Sequence, residues 1–380
     1  MISREWDIYS FITFICIGII ISQLFKIALK CNKKKYSNLI YFIIFLIMTF
    51  FASFRLVYND VGGVDADHYI DYLLYGDKVA FSFNKIIYFN GYEYFFYNLL
   101  FIIGKVTTNY HTLFIIIYSL ISYSYIKLVK DSKVEYKSYI ILTLILLPYL
   151  KSFNLIRNAF AIALLILAIE NLKEKKNIKF FIFSILAILS HYMSAFILVF
   201  YIANIFFNSK FYNNKILICR KNTIIFTISV SILILIFYNL IYNFFSQSGF
   251  SGYIDLEISL LGYMPYIFVY ILMIIFQKDL VDTLKNKNTI IYFNLITFFI
   301  VTFPLILKIG AASRMVYYFE HYFIIMLAYI YEVLLKKIKI KDKPLINFIV
   351  AIFVFAWITF IIYKIHYSYG LMPYIFTFKY

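Results

Sequence analysis

Apolar stretches follow one another from residue 8 to residue 363, and short lysine-rich runs punctuate them. A bilayer span needs about 20 apolar residues, and within lipid every backbone N–H and C=O must find its partner inside the protein. A chain written this way has one ready solution, a helical bundle that crosses a membrane many times. Its composition agrees: 63% of residues are hydrophobic and 22% aromatic, against about 45–50% apolar in a soluble domain. The expected fold is all-α, a polytopic integral membrane protein with about 13–14 transmembrane helices, residues 1–380 forming a single transmembrane domain.

Spans are expected near 8–29, 39–56, 92–106, 110–129, 136–150, 153–170, 178–190, 192–207, 224–245, 262–276, 289–308, 315–335 and 345–363. The net charge of +17 would suggest nucleic acid on a soluble protein. Here the lysines sit in loops at 30–35, 130–137, 173–179, 210–221, 277–287 and 336–343, as the positive-inside rule requires of cytoplasmic loops. From residue 130 onward these alternate with lysine-poor loops, but before it one crossing is missing. Either a weakly apolar pass lies within 66–90, inside an extracytoplasmic or re-entrant segment 57–91, or one short span does not cross. The first repair gives fourteen crossings with both termini outside. No signal peptide, internal repeat, P-loop, GxGxxG or HExxH is evident, and Cys16, Cys31 and Cys219 have no metal-like or disulfide-framework spacing.

Only five of the 36 basic residues are Arg: Arg4, Arg55, Arg157, Arg220 and Arg314. Where any positive charge suffices, this chain uses Lys. Arg220 lies in a basic loop, but Arg55, Arg157 and Arg314 fall at expected outer ends of spans, against the topological bias. An arginine at the centre of a membrane helix costs about 2.5–3.5 kcal/mol on insertion scales. Its planar fork grips phosphate or carboxylate through two hydrogen bonds. Three forks meeting at the outer face would hold a phosphate-rich ligand; snorkelling or pairing with a carboxylate is the plainer reading of each. Lys151 and Lys308 flank two of these positions.

Asn154, Arg157, Asn158 and Ala161 share one helical face, and Ala159, Ala163 and Ala168 keep that helix slim. Pro148 closes the preceding span. Residues 55–73 carry Asp60, Asp65, Asp67, His68 and Asp71 after the Gly62–Gly63 pair. Carboxylates there could deprotonate a sugar hydroxyl, pair with the arginines or, as a DxD triplet, hold a metal; a solvated acidic loop is the alternative. His191 is a candidate general base at an outer turn, where a structural histidine is also common. Glu93 is a second candidate acid or base, or a helix-terminal carboxylate. Glu320 and His321 follow Arg314, and His111 and His366 have no interpretable context.

The order of these pieces resembles the EpsG family of Wzy-like bacterial polysaccharide polymerases. The family's R…GTDYxxY falls on Arg55, Gly63, Val64, Asp65, Ala66 and Tyr69, with Val64 and Ala66 departing from the pattern. Its NxIRQ falls on Asn154, Ile156, Arg157 and Asn158, and its FHxSA turn on Ser190, His191, Ser194 and Ala195. A late Ser313–Arg314 opens the penultimate helix. The resemblance implies a GT-C-like polymerase/ligase architecture in the bacterial cytoplasmic membrane, with its active site on the extracytoplasmic face. It implies a lipid substrate, undecaprenyl-pyrophosphate-linked oligosaccharide, and an inverting glycosyl transfer. His191 and Asp65 would be catalytic; Arg157, Arg314, Arg55, Asn154, Asn158, Glu93 and Tyr69 would bind pyrophosphate or sugar. No metal or other cofactor is expected, and no nucleic acid. A chain-length regulator and a flippase are candidate partners by family analogy. The alternatives are a flippase or transporter of lipid-linked oligosaccharide, and a metal-dependent glycosyltransferase using a polyprenyl-phosphate sugar.

Overall fold

The computed structural model describes residues 7–58, 61–75, 93–239, 242–243, 260–308, 314–338 and 343–377. They form helices α1 (Ile8–Lys30), α2 (Lys34–Ser53), α3 (Val64–Tyr75), α4 (Tyr94–Val106), α5 (Tyr110–Asp131), α6 (Lys137–Leu144), α7 (Ile156–Lys173) and α8 (Asn177–Ser190). They continue as α9 (Phe196–Phe207), α10 (Arg220–Ile236), α11 (Met264–Ile275), α12 (Gln277–Asn286), α13 (Ile290–Lys308), α14 (Met315–Lys337) and α15 (Lys343–Tyr369). Among the described residues the only strand-like pairings are two isolated bridges. The protein is an all-α polytopic membrane protein: α1, α2, α5, α13 and α14 are each long and apolar enough to cross a bilayer.

Contacts divide the chain into two compact units. Unit 1 comprises Met1–Ser132, Tyr136–Ala195 and Lys339–Tyr380; unit 2 comprises Lys133–Glu135 and Phe196–Ile338.

In unit 1, α1 pairs with α2, α2 and α7 pack on α5, and α7 packs on α8. Helix α7 is buried on nearly every side, its slim positions Ala159, Ala161, Ala163 and Ala168 included. Isoleucines and phenylalanines such as Ile19, Ile27, Phe42 and Ile185 are left on the outside, as lipid-facing positions require. Asp7 caps α1 by accepting from the amides of Tyr9 and Ser10, and Asn109 caps α5 through the amide of His111. Helix α6 widens into a π turn over Ile145–Tyr149. Pro148 sits in that turn; having no N–H, it removes one bond of the regular ladder.

Two ends of unit 1 can be told apart. At one, the Lys173 ammonium donates to the Asp131 carbonyl at 3.2 Å and the Lys137 ammonium to the Lys130 carbonyl at 2.5 Å, so the basic runs 130–137 and 173–179 meet. At the other, the C-terminal residues 370–377 lie against the end of α2. Leu56 N–H donates to the Ile375 carbonyl (2.7 Å), Gly62 N–H to Gly370 (2.8 Å) and Thr377 N–H to Phe54 (2.8 Å). Tyr374 N–H reaches Ser10 Oγ at 2.7 Å, which brings the start of α1 to this end too.

Helix α4 falls on the expected span at 92–106. Helix α4 starts at Glu93 beside Arg157 at the head of α7, and it ends just before His111, whose ring Nδ1 pairs with the Ser53 carbonyl at the end of α2. Both ends of α4 therefore lie at the C-terminal end of α2, and its 13 residues do not carry the chain across. Helix α3 accounts for 64–75, and residues 76–92 lie outside the described residues, as does Asp60.

The tie at this end is Arg55, fully buried. Its Nε donates to the Gly62 carbonyl (2.7 Å), one terminal nitrogen to Phe153 (2.8 Å) and the other to Ala52. The guanidinium lies over the rings of Phe114 (4.5 Å), Phe153 (4.7 Å) and Tyr118 (5.1 Å). Gly62 (φ +81°) and Gly63 (φ +121°) adopt left-handed backbone, and a Cβ on either would collide with a carbonyl, that of Leu56 or of Phe153.

In unit 2, α13 packs against α10 and α14, and α11 against α14. Glu332 of α14 is buried and accepts from Lys287 (2.6 and 2.8 Å) and Lys336 (3.0 Å). Gln277 Nε2 donates to the Leu217 carbonyl (2.6 Å) and to Thr223 Oγ1 (2.7 Å).

Arg55→Lys keeps the charge but has no planar fork to reach three separate carbonyls. It should destabilise the protein by about 2–3 kcal/mol, read as a lowered unfolding midpoint of purified protein in detergent. A midpoint equal to wild type would remove Arg55 from this structural role.

Candidate functional site

Asn154 is where the tie becomes a site. Its Oδ1 accepts from the Asp65 amide at 2.6 Å, joining the loop before α7 to the first turn of α3. Asp65 and Tyr69 lie one turn apart on α3, and Tyr69 packs edge-on against Phe96 of α4 at 5.3 Å. Burial pushes the Tyr69 phenol well above its ordinary range, with the positive charge of Arg157 pulling the other way. The phenol also feels the charges of Asp65 and Glu93, so α3 turns this face toward Arg157.

Arg157 begins the first turn of α7. One of its terminal nitrogens lies 2.5 Å from Glu93 Oε2 and 2.8 Å from the Tyr97 hydroxyl, and the guanidinium stands 5.8 Å from the centre of the Tyr97 ring. Glu93 and Tyr97 are one helical turn apart at the start of α4, so a single face presents both to the fork. The Glu93 side chain is 1% exposed and that of Arg157 20%. The carboxylate is thus inside, and the cation reaches the surface of the unit. Arg157 Nε and Asn158 Oδ1 are buried and have no hydrogen-bond partner among the described residues.

The other oxygen of Glu93 faces His191, with Oε1 3.9 Å from Nδ1. His191 ends α8, its backbone extended (φ −156°, ψ 113°) before the 3-10 turn Tyr192–Ala195. Nδ1 lies 3.3 Å from the Met193 amide nitrogen. Tyr192 is close enough to Arg157 to act on its charge.

Six of the residues singled out in the sequence therefore come together in unit 1: Asp65, Tyr69, Glu93, Asn154, Arg157 and His191, with Asn158 one position along α7. Arg55 does not join them as an open anion contact, because its three nitrogens are occupied by backbone carbonyls. Arg314 stands in unit 2, half-buried at the head of α14. In the same unit Glu320 accepts from the Tyr266 hydroxyl at 3.1 Å, and the buried His321 ring lies against that of Tyr322. The two carboxylates of the DxD triplet serve different neighbours, Asp65 acting on Tyr69 and Asp67 on Tyr110, while His68 and Asp71 are exposed. Among the described residues no group of three or more His, Cys, Asp or Glu side chains is arranged to hold a metal ion. Sequence reasoning missed Tyr97; its signal was the i, i+4 spacing from Glu93.

The centre of this arrangement is a buried carboxylate that faces an arginine on one side and a histidine on the other, at the end of unit 1 opposite its basic loops. Residues 38–376 match the EpsG family, and the chain belongs to that family, a Wzy-like polymerase family. Membership points to a polysaccharide polymerase role. Comparison with curated proteins and with solved structures finds no match.

Asn154→Ala removes the acceptor for Asp65 N–H and frees the first turn of α3. It should cost about 1–3 kcal/mol of stability and reduce polymer while leaving helical content intact by circular dichroism. Full polymer yield at wild-type expression would show that the Asn154–Asp65 bond does not position the site.

Proposed function

We propose that the chain polymerises undecaprenyl-pyrophosphate-linked oligosaccharide repeat units at the extracytoplasmic face of the bacterial cytoplasmic membrane. The observation that carries the reading is the Arg157–Glu93–His191 chain, at the end of unit 1 opposite the lysine loops. By the positive-inside rule the lysine end faces the cytoplasm, which puts this chain outside.

The reaction transfers the growing glycan from its diphosphate carrier to a hydroxyl of another lipid-linked repeat. The bond from the anomeric carbon to the phosphate oxygen breaks, its electron pair leaving with the diphosphate. The acceptor oxygen bonds to that carbon from the opposite face, and its proton passes to a base. Charge grows on the diphosphate as it departs, and a preorganised guanidinium stabilises charge where it develops. Arg157 fills that role. In the free protein Glu93 neutralises it; a bound diphosphate takes over that pairing, and Glu93 is left to hold the imidazolium that His191 becomes. Asp65 is the alternative base, oriented by Asn154. Single displacement inverts the anomer. Because the fork supplies the charge, the transfer needs no divalent cation.

Arg157→Lys should abolish long polymer while the protein is made and inserted normally. His191→Asn should slow repeat addition about 10²–10⁴-fold, the range of general-base contributions. Both are read as ladders from purified protein and lipid-linked repeats. A normal ladder from Arg157→Lys would overturn the phosphate contact. Wild-type activity should persist in excess chelator; loss there, restored by a divalent cation, would favour the glycosyltransferase that uses Asp65 and Asp67. Repeats that cross the membrane without a ladder forming would favour a flippase.

A further inference from the structure

At the lysine-rich end of unit 1, α2 and α5 part to leave a cleft of about 440 Å³. It lies far from the site: Tyr41 on its wall is 14 residues before Arg55, about 20 Å along a helix. Phe42, Phe45 and Tyr123 form apolar walls, with Phe42 55% and Tyr123 52% exposed. Lys127, Lys130 and Asp131 form the rim.

The charges of that rim do not cancel. Asp131 is matched by Lys127 at 2.6 Å. The Lys130 ammonium stands 4.9 Å from the centre of the Tyr41 ring and has no carboxylate partner among the described residues. Lys137 brings a further ammonium to the Lys130 carbonyl and Lys173 another to the Asp131 carbonyl, the latter also held by Glu170. Glu170 and Glu174 also act on Lys127. With Lys127, Lys130, Lys137 and Lys173 set against Asp131, Glu170 and Glu174, the rim keeps one positive charge in excess, above walls of bare aromatic surface. A soluble anion would satisfy the rim and leave the walls in contact with nothing it offers. A neutral lipid would cover the walls and leave the cations unmatched.

We propose that this cleft binds an anionic glycerophospholipid of the adjoining leaflet, its phosphate on Lys127 and Lys130 and its acyl chains along Phe42, Phe45 and Tyr123. Basic residues at a membrane surface attract anionic headgroups with about 1 kcal/mol each, and the cleft adds a fixed apolar seat beneath them. The proposal is independent of the polymerase reading, since neither helix surface belongs to the Arg157 site.

The test uses the purified full chain in neutral detergent, titrated with short-chain phosphatidylglycerol, phosphatidylcholine of the same chain length, or glycerol 3-phosphate. Thermal unfolding is the readout. Phosphatidylglycerol should raise the midpoint in a saturable way, and the other two should not. Lys127→Gln/Lys130→Gln should unfold at the wild-type temperature without lipid and bind phosphatidylglycerol roughly thirtyfold more weakly. Lys130→Gln alone, at an exposed position, gives the same test in smaller measure should the double variant fold poorly. Equal shifts from phosphatidylcholine would make the cleft a general lipid seat and overturn the proposal. A shift from glycerol 3-phosphate matching that from phosphatidylglycerol would make it a soluble-phosphate site and overturn it as well. Unchanged affinity in both lysine variants would do the same.

Discussion

A guanidinium with no exposed surface holds the site end of unit 1 together. Burying a cation in a low-dielectric interior is costly unless its hydrogen bonds are all made. Arg55 makes them to carbonyls: Ala52 in the last turn of α2, Gly62 in the turn that leads into α3, and Phe153 in the loop that leads into α7. The last carbonyls of a helix have no partner within it and carry the negative end of its dipole. A cation there answers both needs, and the three ring faces around it accept the charge where no carbonyl does. One side chain thus fixes three chain segments that are distant in sequence. Asn154 follows Phe153 directly, Asp65 lies three residues beyond Gly62, and Arg157 begins the helix after them. Their registry is inherited from Arg55.

What the tie positions is a short relay of charge. Arg157 and Glu93 neutralise each other in the free protein, and the carboxylate is the buried member. Near a membrane that pairing is close to a requirement, because either charge alone would be desolvated without compensation. It also makes anion binding an exchange. A diphosphate that takes the fork leaves the site's charge balanced only if Glu93 finds a new cation, and His191 is the group that faces it. In the proposed reaction, binding the leaving group and placing a proton on His191 are two sides of one event. The Tyr97 hydroxyl is also held by the fork and fixes the guanidinium's orientation in the free protein.

Much of this was legible in the sequence, and for physical reasons. Hydropathy records how much apolar chain is present, so most helices fall where it put them. Arg157 and the Glu93 and His191 termini were legible because a polar residue at the mouth of an apolar helix is costly and so stands out, whereas Asn154 sits in the turn before α7 and not on its face. Hydropathy does not record direction. Helix α4 is apolar enough to be taken for a span, yet both its ends lie on one side. Arg55 was misread for a related reason: sequence shows that a fork is present but not whether carbonyls 98 residues away will close on it. The pairing of residues 370–377 with the end of α2 joins opposite ends of the chain, and no local pattern announces it.

The two arginines of this end differ in one respect that separates structure from function. The fork of Arg55 donates from all three nitrogens to the protein's own backbone. Among the described residues, that of Arg157 leaves Nε buried without a partner, and Oδ1 of Asn158, the next residue, is likewise buried without one. A buried polar atom without a partner costs about 1–3 kcal/mol, and a chain that uses Lys almost everywhere had a cheaper way to place a positive charge there. Retaining a fork with a donor to spare is intelligible if a ligand completes it. The donor and acceptor left over at the head of α7 match the ligand of the proposed reaction, a sugar joined to a phosphate, which both gives and takes hydrogen bonds.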